Sequence, residues 1–345
     1  MKESSQNTKT SKGQHTILFL DSNQYENLKK ESSKTIIKVT HFSKTWEEDS
    51  DNALLFSQVA IPSLGETSYE VWVQEQPIAI HNKIEGGIEI VESGDKTFIR
   101  IETHESEDIG LEQAAYESYK KIFAFAQPKG LNLVRIWNYI PKILSYDGGL
   151  ERYRQFNIGR WNAWQDYGPK LVDDTPKRPA MTGIGSFGGP LVVEVLFSTH
   201  EVQEMENPRQ TPFVHYSQKW GPKPPISARG SLLLTPDGPE VYIAGTASLV
   251  GEEIVHEGDV VAQTLETLKN IEILIGEQNM KTYGQEYGFT LDDVHAIRVY
   301  IKHTEDYEKV RATLQSIWRD KDILYVHDDI CRPGFLVEIE GIARK

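Results

Sequence analysis

One succession of elements occurs twice in this chain and constrains its fold more than any other feature. Residues 111–127 carry apolar side chains at helical spacing (Leu111, Ala115, Tyr119, Ile122, Phe123). They end at Pro128 and Gly130 and lead into an aromatic-bearing strand pattern at 131–140. Residues 260–275 repeat this with Val261, Leu265, Leu268, Ile271 and Leu274, then pass through a polar turn region to a second such strand at 296–301. Both strands are approached through Leu-x-x-Val, from Leu131 to Val134 and from Leu291 to Val294. A repeat distance of roughly 150 residues is too long for a solenoid, so the pattern predicts two copies of one α/β unit packed on each other. With 345 residues the chain is also long for a single core.

Residues 16–20, 33–39, 88–91 and 97–101 read as further strands, and the polar stretch 1–14 reads as a disordered tail. The stretch 148–225, rich in Gly, Pro and Arg, reads as the least core-like part, made of loops of the kind that carry function. Within it Gly183, Gly185 and Gly188 spell a dinucleotide fingerprint. Pro190 and the strand-like run 191–196 follow where a helix would have to open, which argues against nicotinamide binding.

Several function classes are excluded by composition. A formal net charge of -14 argues against nucleic acid or an anionic membrane surface as partner, because both require a basic footprint. No stretch approaches the ~20 apolar residues of a membrane span, and the polar N-terminus holds no signal core, so a cytoplasmic protein is expected. A lone cysteine, Cys331, rules out an internal disulfide and a cysteine-based zinc site. The ten histidines show neither HxH nor HxxxH spacing, and neither metal nor cofactor is expected.

The run from Phe335 to Ala343 reads as a strand, with Phe335, Val337 and Ile339 on one face and Leu336, Glu338 and Glu340 on the other. On a wet face these carboxylates would be ordinary surface groups. Lining a cavity, one of them would be desolvated beside a like charge, with a pKa raised toward the range of a general acid. Arg152, Arg154, Arg160, Arg209 and Arg229 fall in or just beyond the loop-rich middle. Their planar forks could hold a small polycarboxylate, or could each pair with one of the 51 acidic residues.

The segments GLNLVRIWNYIPKI, GLERYRQFNIGR, ENPRQ, GTASLVG followed by QTLETLKNIEILI, and CRPGFLVEIEGIA resemble, in that order, the chorismatases, also called chorismate hydrolases. The resemblance runs from around residue 110 to the end. It implies an α/β (α+β) fold of duplicated YjgF/RidA-like (chorismate-mutase-like) units forming a pseudo-trimer in one monomeric chain, with residues 15–105 a divergent part of the same architecture. The domains would be the 1–14 tail, an N-terminal region at 15–190 and a C-terminal domain at 191–345, with the active site in the cleft between them.

The resemblance further implies that chorismate loses its enolpyruvyl group as pyruvate without metal or cofactor. Glu338 and Cys331 would be the catalytic residues, with Glu338 the general acid that protonates the methylene carbon. Arg160 and Arg209 would hold the two carboxylates, with Tyr216, Arg311 and Ala244 completing the substrate site, although the setting of Arg311 reads as an exposed helix. Cys331 resembles the branch giving 3-hydroxybenzoate and Ala244 the branch giving a dihydroxycyclohexadiene carboxylate; the reading leans to 3-hydroxybenzoate, an aromatic starter acid for secondary metabolism. Ser217, Trp220 and Lys302 depart from the family pattern and leave the pocket's shape open. The alternatives are a RidA-like imine or enamine deaminase and a non-catalytic small-molecule binder.

Overall fold

Three sheets carry the chain, and each repeats one wiring. The computed structural model describes residues 15–48, 54–74, 80–170 and 177–345, so the tail expected at 1–14 lies outside the described residues. The first unit comprises β1 (Thr16–Leu20), α1 (Ser22–Leu28), β2 (Thr35–Ser43), β3 (Phe56–Ala60) and β4 (Tyr69–Gln74), in the order β1-β4-β2-β3. The second comprises β5 (Ile80–Glu85), β6 (Ile88–Ser93), β7 (Lys96–Thr103), α2 (Leu111–Ala126) and β8 (Asn132–Pro141). It continues through a short hairpin of β9 (Tyr146–Asp147) and β10 (Leu150–Glu151) into α3 (Arg152–Tyr167), β11 (Ala180–Ser186) and β12 (Leu191–Ser198). Its sheet order is β11-β8-β12-β7-β6-β5.

The third unit comprises β13 (Val202–Met205), β14 (Gly230–Thr235), β15 (Gly238–Ala247), the hairpin of β16 (Leu249–Val250) and β17 (Glu253–Ile254), α4 (Val260–Ile275) and α5 (Glu277–Thr282). After these come β18 (Val294–Ile301), α6 (Tyr307–Gln315), β19 (Ile323–His327) and β20 (Val337–Ala343). Its order, β13-β14-β15-β20-β18-β19, superimposes strand for strand on the second sheet read from its other end. In each unit the last strand (β4, β12, β20) lies antiparallel between two neighbours. In each, the first strand after the helix that follows β1, β7 or β15 (β2, β8, β18) pairs in parallel with a later strand of its sheet (β3, β11, β19). The first unit is the shortened copy, lacking counterparts of β5 and β6 among the described residues.

Alternation along the last strands assigns their two faces. Leu191, Val193, Val195 and Phe197 of β12 pack with Leu111, Ala115, Tyr119 and Ile122 of α2, while Val337, Ile339 and Ala343 of β20 pack with Leu268 and Ile271 of α4. Each Val, Leu, Ile or Phe side chain among them contributes about 1.5–3 kcal/mol on burial. The opposite faces of the sheets turn inward toward one another, and there the sequence places charges.

Those charges close a ring. Lys38 on β2 pairs with Glu194 on β12 at 2.8 Å, Arg135 on β8 pairs with Glu340 on β20 at 2.7 Å, and Arg298 on β18 pairs with Glu70 on β4. The three cations come from equivalent strands and so do the three acids, and each cation reaches the acid of the next unit in the same cyclic sense. All six side chains are buried. Three units of one chain thus meet as the subunits of a trimer would, around a pseudo-threefold axis.

Two expectations are corrected. The middle segment is not mainly loop: it holds α3, β11, β12 and β13. Helix α3 escapes an apolar-period reading because its buried face includes Arg152, Asn157 and Arg160. Gly159 lets α3 lie against α2, since a Cβ there would stand 2.8 Å from the carbonyl carbon of Glu112. A division at 190/191 would also cut the second sheet, because β12 lies at its centre between β7 and β8. No helix among the described residues is long and apolar enough to cross a membrane.

Candidate active site

The inward face of β20 presents Glu338 and Glu340 at the seam between the second and third units. Glu340 is fully engaged. It accepts hydrogen bonds from Arg135 (2.7 Å), the Trp137 indole (2.9 Å) and Thr182, and lies 3.2 Å from Arg298. Glu338 is just as buried, at 4% exposure, yet its carboxyl has no hydrogen bond or ion pair among the described residues. Burial first, then the neighbouring Glu340 charge, push the Glu338 carboxyl up to about 8, against the lowering influence of Arg135 and Arg229. Glu338 is thereby poised as a proton donor beside a carboxyl committed to Arg135 and Arg298.

Around Glu338 the backbone is irregular. Strands β15 and β20 pair Ile243 with Gly341 and Thr246 with Ile339, leaving Ala244 and Gly245 together opposite Glu340, a bulge of the kind found beside functional sites. Ala244 is buried, and its amide donates to the Arg229 carbonyl at 3.0 Å.

Of the five arginines singled out from sequence, three have acids beside them. Arg152 binds Glu105, Arg154 lies 3.7 Å from Glu151, and Arg209 meets Glu266 at 2.6 Å while donating to Asn270 at 2.9 Å. Arg160 and Arg229 have no carboxylate partner among the described residues, although they are only 2% and 5% exposed. Arg160 donates to Asn157 at 2.6 Å and faces the sulfur of Met181. Arg229 lies flat on the Phe213 ring, 3.6 Å from its centre, and donates to the Tyr216 hydroxyl (2.9 Å) and the Thr211 carbonyl (2.8 Å). A buried guanidinium without a counter-ion is costly, and binding an anion relieves that cost.

Arg332 is built the same way, stacked on Trp220 at 3.7 Å and beside Tyr216 at 4.9 Å, with the Glu252 carbonyl as its acceptor among the described residues. Next to it, burial and then the Glu338 charge push the Cys331 thiol up to about 12, so it is a neutral thiol rather than a nucleophile. Tyr153 links this corner to Arg160, since its phenol feels Cys331 on one side and Arg160 on the other.

Glu338, Cys331, Tyr216 and Ala244 therefore share one region with Arg229, and Arg160 approaches it through Tyr153. Two expected residues have acids of their own. Arg311 is exposed on α6 and forks onto Glu308 of its own helix at 2.7 Å; Arg209 is neutralised by α4. The cations whose charge acts on the Glu338 carboxyl are Arg135 and Arg229 instead. Arg229 was visible in sequence only as one of five, and nothing there showed which arginines have partners. Among the described residues no group of three or more His, Cys, Asp or Glu side chains is placed to hold a metal ion.

The chain is similar to known proteins. A family model described as chorismatase FkbO/Hyg5-like, N-terminal, matches residues 70–197. A chorismatase of Streptomyces hygroscopicus is 33% identical over 277 residues, covering 79% of this chain and 78% of its own. A 3-hydroxybenzoate synthase of the same organism is 37% identical over 238 residues, 67% of this chain and 69% of its own. A crystal structure of a chorismatase superimposes with a TM-score of 0.86 at 28% identity, covering 97% of this chain and 100% of that one.

Proposed function

Because this chain belongs to the chorismatase family, we propose that it converts chorismate to pyruvate and 3-hydroxybenzoate, with Glu338 as the proton donor. The observation that carries the reading is the contrast on β20, where Glu340 is saturated with cationic partners and Glu338 is left neutral and unpaired.

An enol ether is broken by adding a proton to its methylene carbon, which leaves an oxocarbenium-like centre at the ether carbon. An acid with a pKa near neutrality in a dry pocket is suited to that step. Once the proton is given up, the Glu338 carboxylate is a negative charge beside the cation it has created, and it stabilises that cation where water cannot screen it. The neighbouring ring hydroxyl then captures the centre and gives up its proton, forming a cyclic ketal. The bond from that oxygen to the ring breaks, as does the bond from the original ether oxygen to the pyruvyl carbon. Pyruvate leaves with the capturing oxygen as its carbonyl, the original oxygen stays on the ring as a hydroxyl, and loss of the proton from the carbon bearing it yields the aromatic acid. Chorismate contains the atoms of pyruvate plus 3-hydroxybenzoate, so this route adds no net water, whereas the dihydroxycyclohexadiene product retains one. The 3-hydroxybenzoate reading is supported by Cys331 beside Glu338 and by the likeness to a 3-hydroxybenzoate synthase.

The two carboxylates of chorismate need cations that are not already spent. Arg229, held flat by Phe213 and Tyr216, and Arg160, held by Asn157, meet that requirement and replace the expected pair Arg160 and Arg209. Arg332 stands on the same side as a third donor. Fixing both ends of the substrate also orients the enol ether toward Glu338, which lowers the entropic part of the barrier. The enzyme works as a monomer, its three units already closed by the ring of ion pairs.

The test is incubation with chorismate, with pyruvate followed by a coupled assay and the aromatic product identified by chromatography. Stoichiometric pyruvate and 3-hydroxybenzoate are expected. Ammonia release from an amino-acid-derived imine, with chorismate untouched, would support the deaminase reading instead.

A further inference from the structure

We propose that Gly245 is a positioning residue: its missing side chain is the space in which the Glu338 carboxyl sits. This deepens the reading of Glu338 as the proton donor and rests on it. A Cβ built at Gly245 would stand 2.9 Å from the Glu338 carboxyl carbon, overlap its Oε1, and come within 3.1 Å of the Thr182 hydroxyl. The backbone at Gly245 lies outside the left-handed region, so conformation alone does not require glycine there. What requires it is the acid.

The surroundings set the carboxyl's position from two sides. Thr182, on β11 of the second unit, is committed to Glu340 and closes one side. Bulging β15 at Ala244 and Gly245 brings the glycine of the third unit's own sheet against the carboxyl from the other side. The acid is thus gripped without being hydrogen-bonded. A hydrogen bond donated to its charged form would lower its pKa and spoil it as a donor. Packing against a bare glycine fixes the carboxyl and leaves it neutral.

Gly245→Ala separates this role from a structural one, because the atom it meets is the far end of a flexible side chain that can swing aside without moving the strands. The expected result is a folded enzyme with KM little changed and kcat reduced by about 10²-fold, the scale of a misplacement of about 1 Å. Shortening the acid should make room again: Gly245→Ala/Glu338→Asp should exceed the rate expected from multiplying the two single losses by at least about tenfold.

Wild-type kcat in Gly245→Ala, or strictly multiplicative losses in the double variant, would overturn the proposal. If Gly245→Ala does not accumulate as folded protein, Gly245→Ala/Glu338→Ala removes the collision and should be as stable as Glu338→Ala. If the pair is no more stable than Gly245→Ala, the glycine serves the backbone and the inference fails. An active Glu338→Gln variant would overturn the underlying assignment of the acid. An inactive Glu338→Gln with a fully active Gly245→Ala would overturn the positioning role alone.

Discussion

Glu338 and Glu340 point from the same face of β20 into the same seam, yet Arg135, Arg298, Trp137 and Thr182 all go to Glu340. One acid of the pair belongs to the ring that joins the three units. The other is free to carry a proton, and its proton affinity depends on the first.

Removing the charge of Glu340 should therefore retune Glu338. In Glu340→Gln the repulsion that raises the Glu338 pKa disappears and Arg135 is left uncompensated nearby; both changes lower it. The competent form of Glu338 is the protonated one, so wild-type kcat/KM should hold below about 8 and fall as pH rises through that value. In Glu340→Gln this basic limb should move to lower pH, as read from kcat/KM against pH.

Arg229 and Arg209 should respond differently to the same change. Arg229→Gln removes a buried guanidinium that has no acid of its own, and loss of a charge-assisted contact of about 1.5–3 kcal/mol should raise KM by roughly 10- to 100-fold. Arg209→Gln breaks an ion pair with Glu266 and should show mainly as a lower melting temperature. Steady-state kinetics beside thermal unfolding separates the two.

Arg311→Ala should leave kcat and KM unchanged. Its guanidinium forks onto Glu308 on the exposed side of α6, and a surface pair of this kind is worth about 0–1 kcal/mol. A large rise in KM would place this side chain at the substrate after all.

The ring predicts a stability pattern away from the chemistry. Lys38→Met leaves Glu194 buried beside Thr40 with no cation at 2.8 Å and should cost about 3–5 kcal/mol. Lys38→Met/Glu194→Gln removes both charges and should recover much of the loss in denaturant unfolding. A double variant as unstable as the single would contradict the pairwise account.

What the sequence disclosed follows from which forces act locally. The matching runs around α2–β8 and α4–β18 were readable because each helix has an apolar stripe and each strand alternates. The two acids on β20 were readable for the same reason. Helix α3 was hidden because it buries Arg152, Asn157 and Arg160 where a helix usually buries aliphatics. The choice among arginines was hidden too, because Glu266 neutralises Arg209 from a helix distant in sequence, while no acid among the described residues pairs with Arg229. The first unit was legible only through the family resemblance, as a divergent part of the same architecture, because it is cut down to four strands and one short helix among the described residues.

A buried acid held neutral also carries a cost in stability. Its folded pKa of about 8 lies above the unfolded value near 4.5, so its favourable contribution is complete below that lower value and is lost as pH rises toward 8. Glu338→Gln should therefore gain stability relative to wild type between those pH values, by up to about 1.4 kcal/mol per pH unit, in chemical denaturation followed at several pH values.

The most direct test of the account is pyruvate release from chorismate by Glu338→Gln. The variant should fold, bind a cyclic dicarboxylate nearly as the wild type does, and lose about 10²–10⁴-fold in kcat. Turnover at the wild-type rate would contradict the assignment of Glu338 as the proton donor.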